Sequence, residues 1–176
     1  MAILKFRTYF EEDDTVYRDI AIQHTQNFYD LYLQILKAYD FDKKHQGTFF
    51  RSNDKWLRGR EISLEKYNKE YITEPLLMKE TTIGSEIKDT NQRFILEYDF
   101  TKQWTFLIEL YNINKDEDLR LNYPSITRTE GIGPSQYGAK SILGERFADI
   151  EEKYDLKESL DGFGEEGETP TEPTEE

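Results

Sequence analysis

Residues 94–110 read FILEYDFTKQWTFLIEL, and the fold turns on how that stretch divides. Phe94, Leu96, Tyr98 and Phe100 alternate with polar or outward positions, and so do Trp104, Phe106, Ile108 and Leu110. Side chains two apart share one face of a strand, so the two runs predict two strands, each with an apolar face. Residues 101–103 are then the connection, within ordinary hairpin length. Asp99 falls between two aromatics at the corner, which could serve chemistry or simply close the hairpin.

Working outward, Ile3 to Phe10 and Thr15 to Ile22 alternate in the same way around an acidic cluster, Glu11 to Asp14, and predict a second hairpin. Phe28, Leu31, Tyr32, Ile35, Leu36 and Tyr39 recur at helical spacing, a three-turn amphipathic helix with Thr25 or Asn27 as its cap. Thr48 to Arg51 reads as a strand and residues 52–54 as a turn before Trp56. Residues 61–74 read as irregular, Leu76 to Met78 as a short strand, and the region of Ile83 and Ile87 as a helical turn. From Asn122 the text NYPSITRTEGIGPSQYG reads as one long loop, punctuated by Pro124, Gly131, Gly133, Pro134 and Gly138, with Tyr137 near its end. The sum is an α+β fold: a mainly antiparallel sheet with one principal amphipathic helix packed on it, in the order β-β-α-β…β-β.

Composition sets the limits around that fold. Hydrophobic residues are 36% and charged residues 34% of 176, which suits one water-facing domain with a sizeable core. The aromatic share of 14% assigns much of that core to Tyr and Phe. Net charge is −13, yet residues 145–176 hold thirteen acids against Arg146, Lys153 and Lys157. The acidity therefore belongs to the tail, and the rest is close to neutral. The expected organisation is a domain over 1–144, a polar helix over 145–160, and an acidic disordered tail over 161–176. Cysteine is absent, which excludes disulfides, thiol catalysis and cysteine-ligated metals. The N-terminus has no apolar signal stretch and no span reaches membrane length, so a cytoplasmic location without membrane contact is the expectation.

Four stretches carry a family resemblance. They are Leu4 to Tyr9 with Val16-Tyr17-Arg18; Ala38-Tyr39-Asp40-Phe41-Asp42 followed by His45 and Phe49; Tyr98-Asp99-Phe100 with Trp104 and Ile108-Glu109-Leu110; and Pro134-Ser135-Gln136-Tyr137-Gly138. In this order the chain resembles the plasmid pRiA4b ORF-3-like family, bacterial proteins also described as passengers of insertion elements. The resemblance implies an architecture and a mobile-element setting rather than a reaction. The chain departs from the family pattern at several polar positions. Thr101 and Lys102 stand where the family has Gly and Asp, Phe106 where it has His, and Gly47 where a second His is common.

Candidate chemistry is sparse. Asp99 could be a general base or a ligand, but a carboxylate at a strand end more often accepts N–H groups across the turn. Tyr98, Asp99, Phe100 and Trp104 are accordingly read as a mainly structural signature. His24 and His45 are the only histidines, and neither has a ligand spacing. Asp40, Asp42 and His45 could make a hard-metal corner, with Asp42 and His45 the alternative ligands, but a polar cluster after a helix is more often a solvated exit, and no metal is expected. Ser125, Ser135 and Ser141 lie in no G-x-S-x-G elbow. Gly131, Gly133 and Gly138 fit neither the dinucleotide fingerprint nor the P-loop, so no nucleotide cofactor is expected. The segment FFRSNDKWLRGRE, residues 49–61, sets Arg51, Lys55, Arg58 and Arg60 around Trp56. Cations beside a stacking aromatic suit nucleic acid. The reading is a non-enzymatic binding or accessory module for a protein or nucleic-acid partner, without a cofactor. Contacts are assigned to Arg51, Lys55, Trp56, Arg58 and Arg60, then to the loop Gly131, Gly133, Pro134, Tyr137 and Gly138. The rival is a metal-assisted enzyme using Asp99, Asp42 and His45.

Overall fold

A computed structural model describes residues 1–138. Met1–Gly133 form one compact unit, and a second begins at Pro134. The expectations of a polar helix over 145–160 and a disordered tail over 161–176 lie outside the described residues.

Eight strands form one sheet: β1 (Ile3–Phe10), β2 (Asp13–Gln23), β3 (Gly47–Ser52), β4 (Glu61–Ser63), β5 (Leu76–Leu77), β6 (Arg93–Tyr98), β7 (Trp104–Asn114) and β8 (Ser125–Glu130). Their spatial order is β5-β4-β3-β6-β7-β1-β2-β8. One α-helix, α1 (Phe28–Ala38), follows β2, and two 3-10 turns, Met78–Glu80 and Gly84–Glu86, precede β6.

This corrects the fold expected from sequence. The sheet is mixed, because β4 and β5 run parallel, and the chain order is not the one inferred. Two strands lie in stretches read as irregular. β4 is three residues inside 61–74, too short to show a period. β8 lies within the supposed loop, where Pro124 and Gly131 bound a β-branched run, Ile126-Thr127-Thr129, that carries one apolar residue. An edge strand buries little, so its pattern fades while its backbone pairing persists. The β6–β7 connection is also longer than read: β6 stops at Tyr98, leaving Phe100 in the turn.

The register explains the core. Tyr98 pairs with Trp104, Leu96 with Phe106 and Phe94 with Ile108; Phe106 then meets Phe10 on β1, and Leu96 meets Phe49 on β3. These aromatics share the face beneath α1. The helix starts at Asn27, whose Oδ1 accepts the Asp30 N–H at 2.9 Å while the Asp30 carboxylate accepts the Asn27 N–H at 3.2 Å, a capping box. Phe28 packs on Phe49 and Phe94 with ring centroids 5.3 and 5.2 Å apart. Tyr39 lies 4.5 Å from Phe106, and Phe41 stands edge-on to Trp104 at 5.1 Å. At the helix C-terminus the buried Arg18 guanidinium donates to the Ala38 carbonyl at 3.0 Å and to the Glu130 carbonyl at 2.8 Å, joining α1 to the end of β8.

Among the described residues no helix covers the opposite face. It carries a ladder of alternating charge in one row across five strands: Arg93 opposite Glu109, Glu109 opposite Arg7, Arg7 opposite Asp19, and Asp19 opposite Arg128. Arg7 grips Asp19 with two bonds of 2.7 and 2.8 Å, and its guanidinium lies 4.2 Å from the Tyr17 ring centroid. The layer roofs Asp19 so completely that it is 3% exposed. Opposite charges placed directly across strands stabilise the sheet, and the Arg7 guanidinium adds cation–π contacts with the Tyr17 and Tyr111 rings.

Trp104 is fully buried and its indole N–H meets no acceptor among the described residues, so packing alone holds it. A Trp104→Ala variant is expected to lose about 3–5 kcal/mol of stability, the usual cost of removing a buried aromatic. Equilibrium denaturation of both proteins checks this, and an unchanged midpoint refutes the assigned packing.

Candidate functional site

Asp40 takes a left-handed conformation at φ 61°, which stops α1 and turns residues 41–46 across the end of the β6–β7 hairpin. Groups remote in sequence meet there. The Tyr98 hydroxyl donates to the Asp42 carbonyl and accepts the His45 N–H at 3.1 Å. The Tyr32 hydroxyl donates to the His45 carbonyl at 3.5 Å. The Tyr67 hydroxyl donates to the Gly47 carbonyl at 3.3 Å and accepts the Gly47 N–H at 3.1 Å. The Asp99 N–H donates to the Gln46 carbonyl at 2.7 Å. The backbone of residues 42–47 is therefore anchored by three tyrosines and the hairpin corner. Backbone groups in so irregular a segment would otherwise lack partners on burial. Gly47 makes this possible, because a Cβ there would lie 2.7 Å from Cε1 of Tyr32.

The anchored segment presents side chains to a recess of about 350 Å³, lined by Lys43, Lys44, His45, Asp99, Phe100 and Thr101 among others. His45 stands between two carboxylates, with Nδ1 3.7 Å from Asp99 Oδ2 and Nε2 4.0 Å from Asp42 Oδ1. Asp99 is left-handed at φ 60°, and its Oδ1 accepts the Thr101 and Lys102 N–H groups at 3.2 and 3.4 Å. That turn support replaces the glycine such a corner usually needs. Asp42 Oδ1 likewise accepts the Lys44 N–H at 3.2 Å. The three residues named for metal-assisted chemistry are thus brought together. Their arrangement does not suit one ion, because the imidazole nitrogens face different carboxylates. Among the described residues no group of three or more His, Asp or Glu side chains is placed to hold a metal.

The basic segment is divided instead. Arg51 points to the helix side and pairs with Glu86, while Arg58 pairs with Glu97 at 2.6 Å on the opposite face. Arg60 donates to the Glu74 carbonyl at 2.9 Å. Trp56, left-handed at φ 56°, lies beneath the Arg93 guanidinium at 4.5 Å. Only Lys55 of the set stands exposed without a side-chain partner among the described residues. In the loop, Gly131 ends β8 at φ 78°, where a Cβ would press on Val16. Gly133 closes the first unit, with room for no Cβ beyond 3.3 Å from Arg18 and Tyr39. In the second unit Pro134 precedes a turn in which the Gly138 N–H donates to the Ser135 carbonyl at 3.2 Å, and Tyr137 is exposed.

The sequence places Tyr32 on the helical face and Gly47 at a departure from the family pattern without a part in a site, and it singles out neither Tyr67, Lys43 nor Lys44. The one available signal was twelve tyrosines in a chain without cysteine, since buried phenols need partners for their hydroxyls.

Comparison with known proteins follows the same outline. The family model for plasmid pRiA4b ORF-3-like protein matches residues 8–138. No curated protein matches the chain. Among solved structures, the crystal structure of a protein of unknown function from Methanosarcina mazei Go1 superposes with a TM-score of 0.71 at 16% identity. It covers 98% of this chain and 92% of that one, a likeness in fold alone. Among the described residues no helix is long and apolar enough to cross a membrane.

Burial raises the pKa of Tyr98 and Tyr32 above the ordinary phenol value and pushes Tyr67 up to about 12. Because the unfolded phenols ionise first, near pH of about 10, stability is full below that pH and falls as pH rises toward about 12. Urea unfolding at neutral pH and at about pH 11 is expected to show that loss, smaller in Tyr67→Phe. Gly47→Ala is expected to cost about 1–3 kcal/mol by overpacking against Tyr32. Hydrogen exchange should quicken first at residues 42–47, and unchanged protection there would contradict the anchoring.

Proposed function

This chain belongs to the plasmid pRiA4b ORF-3-like family, and on that footing we propose that it is a non-enzymatic recognition module whose partner, a protein, is met at the His45 recess. One observation carries the reading: the backbone of residues 42–47 is held from three separate elements while Lys43, Lys44 and His45 remain at the surface. A pre-ordered backbone has little further entropy to lose on binding, so only the displayed side chains remain to be ordered, which is how a site gains affinity without great area. Asp42 and Asp99 spend their bonds on the backbone and flank the imidazole, so they orient the site. The basic segment supports nucleic-acid binding less well, since three of its four cations are tied to acceptors of the protein itself. The family setting fits an accessory role beside a mobile element.

Site-specific photo-crosslinking in the native cell tests this. A probe at Thr101, on the rim, is expected to give a discrete adduct that His45→Ala abolishes, whereas a probe at Asp54 on the exposed β3–β4 turn gives none. Equal adducts at both positions would overturn the proposal. Asp42, His45 and Asp99 do meet, although not in an arrangement that suits one ion, and a metal-assisted enzyme is therefore the rival to be tested. Stoichiometric divalent metal in the purified protein, lost in His45→Ala, would replace recognition with that reading.

A further inference from the structure

We infer that the recess receives a carboxylate of an acidic peptide segment, held between the ammonium groups of Lys43 and Lys44. This rests on the recognition reading above and gives its partner a chemistry. The argument is a comparison of committed and uncommitted polar groups around the recess. Asp99 commits Oδ1 to two backbone N–H groups, and Asp42 commits Oδ1 to a third. Asp99 turns its other oxygen, Oδ2, to His45 Nδ1, and the same Asp42 Oδ1 stands 4.0 Å from His45 Nε2. By contrast, Lys43, Lys44, Gln46, Thr101 and Glu65 are residues of the recess lining whose side-chain polar groups make no hydrogen bond or ion pair to any described residue.

Two ammonium groups, the Gln46 amide and the Thr101 hydroxyl against the single Glu65 carboxylate give the uncommitted groups a surplus of donors. Such a set is satisfied by an oxyanion. Lys43 and Lys44 do not outnumber Glu65, Asp42 and Asp99 in formal charge, so the summed field gains nothing from a second negative charge on the ligand, which favours a carboxylate seated between the ammonium groups over a phosphate dianion. Glu65 then finds its donor in a backbone N–H of the same segment. Lysine ammonium groups act as point charges, so one carboxylate can be shared between two without a fixed fork geometry. The anchored backbone of residues 42–47 keeps both stems in place, and Phe100 at the recess can pack against the aliphatic part of an acidic side chain.

Amide NMR of the full chain tests this with N-acetylated, C-amidated tetraglutamate as the probe at low salt. The expected result is saturable shifts at residues 43–46 and 99–101. Affinity should fall at least about tenfold in Lys43→Glu with Lys44→Glu, roughly the loss of one strong contact. Both lysines are exposed, so the variant should keep the remaining spectrum and report on binding alone. Tetraglutamate that gives no saturable shift, or binds the double variant equally well, overturns the inference. Pyrophosphate binding more tightly than the peptide also overturns it, in favour of a phosphate ligand. Failure here with His45-dependent cross-linking intact removes the acidic ligand and leaves recognition standing. Loss of the cross-link with peptide binding intact does the reverse.

Discussion

Pairing Tyr98 with Trp104 is the constraint on which the rest of the molecule depends. It sets the apolar residues of β6 and β7 on one face, and a slip of one residue would turn both sets outward. The same pair fixes the end of the hairpin. Trp104 reaches Phe10 and Phe41 in the core, while Tyr98 projects its hydroxyl to the backbone beyond α1. A packing decision in the hairpin thus becomes a positioning decision at the recess.

The two faces of the sheet are stabilised by different physics. Beneath α1, rings interlock edge to face, and burial of aromatic area dominates. On the other face, alternating charges pair across strands and tyrosines overlie them, so a largely neutral surface arises from strongly charged residues. This accounts for a sheet of eight strands with one helix among the described residues. It also explains why several arginines that look available in the sequence are already committed. Edges are managed likewise: β5 is two residues long behind Pro75, and the β2–β8 pairing is broken by a register shift and flanked by Arg128 and Glu130.

At the recess, rigidity and display are supplied by different residues. Tyr32, Tyr67 and Tyr98 are spent on the backbone, and Gly47 is small so that Tyr32 can approach. Lys43, Lys44 and His45 are left to face outward on a chain whose entropy has already been lost on folding. Asp99 has the Asx-type support expected of a carboxylate at a turn, and it also stands beside His45, so structure and site meet in one side chain.

The sequence by itself determined the period-two runs of β1, β2, β6 and β7, the helical face from Phe28 to Tyr39, a cap at Thr25 or Asn27 of which the structure uses Asn27, and the family outline across residues 8–138. Each is a local pattern, readable because burial on one face repeats along the chain. What remained for the tertiary structure has no such period. β4 and β8 are short or at the edge, so pairing rather than burial defines them. The parallel β4–β5 pair depends on where residues 64–75 carry the chain. The hydroxyl partners of three tyrosines lie 13 to 56 residues away, and the division of Arg51 from Arg58 depends on which face each side of the β3–β4 turn presents. FILEYDFTKQWTFLIEL announced its own hairpin, but only the folded chain could bring His45 to Asp99.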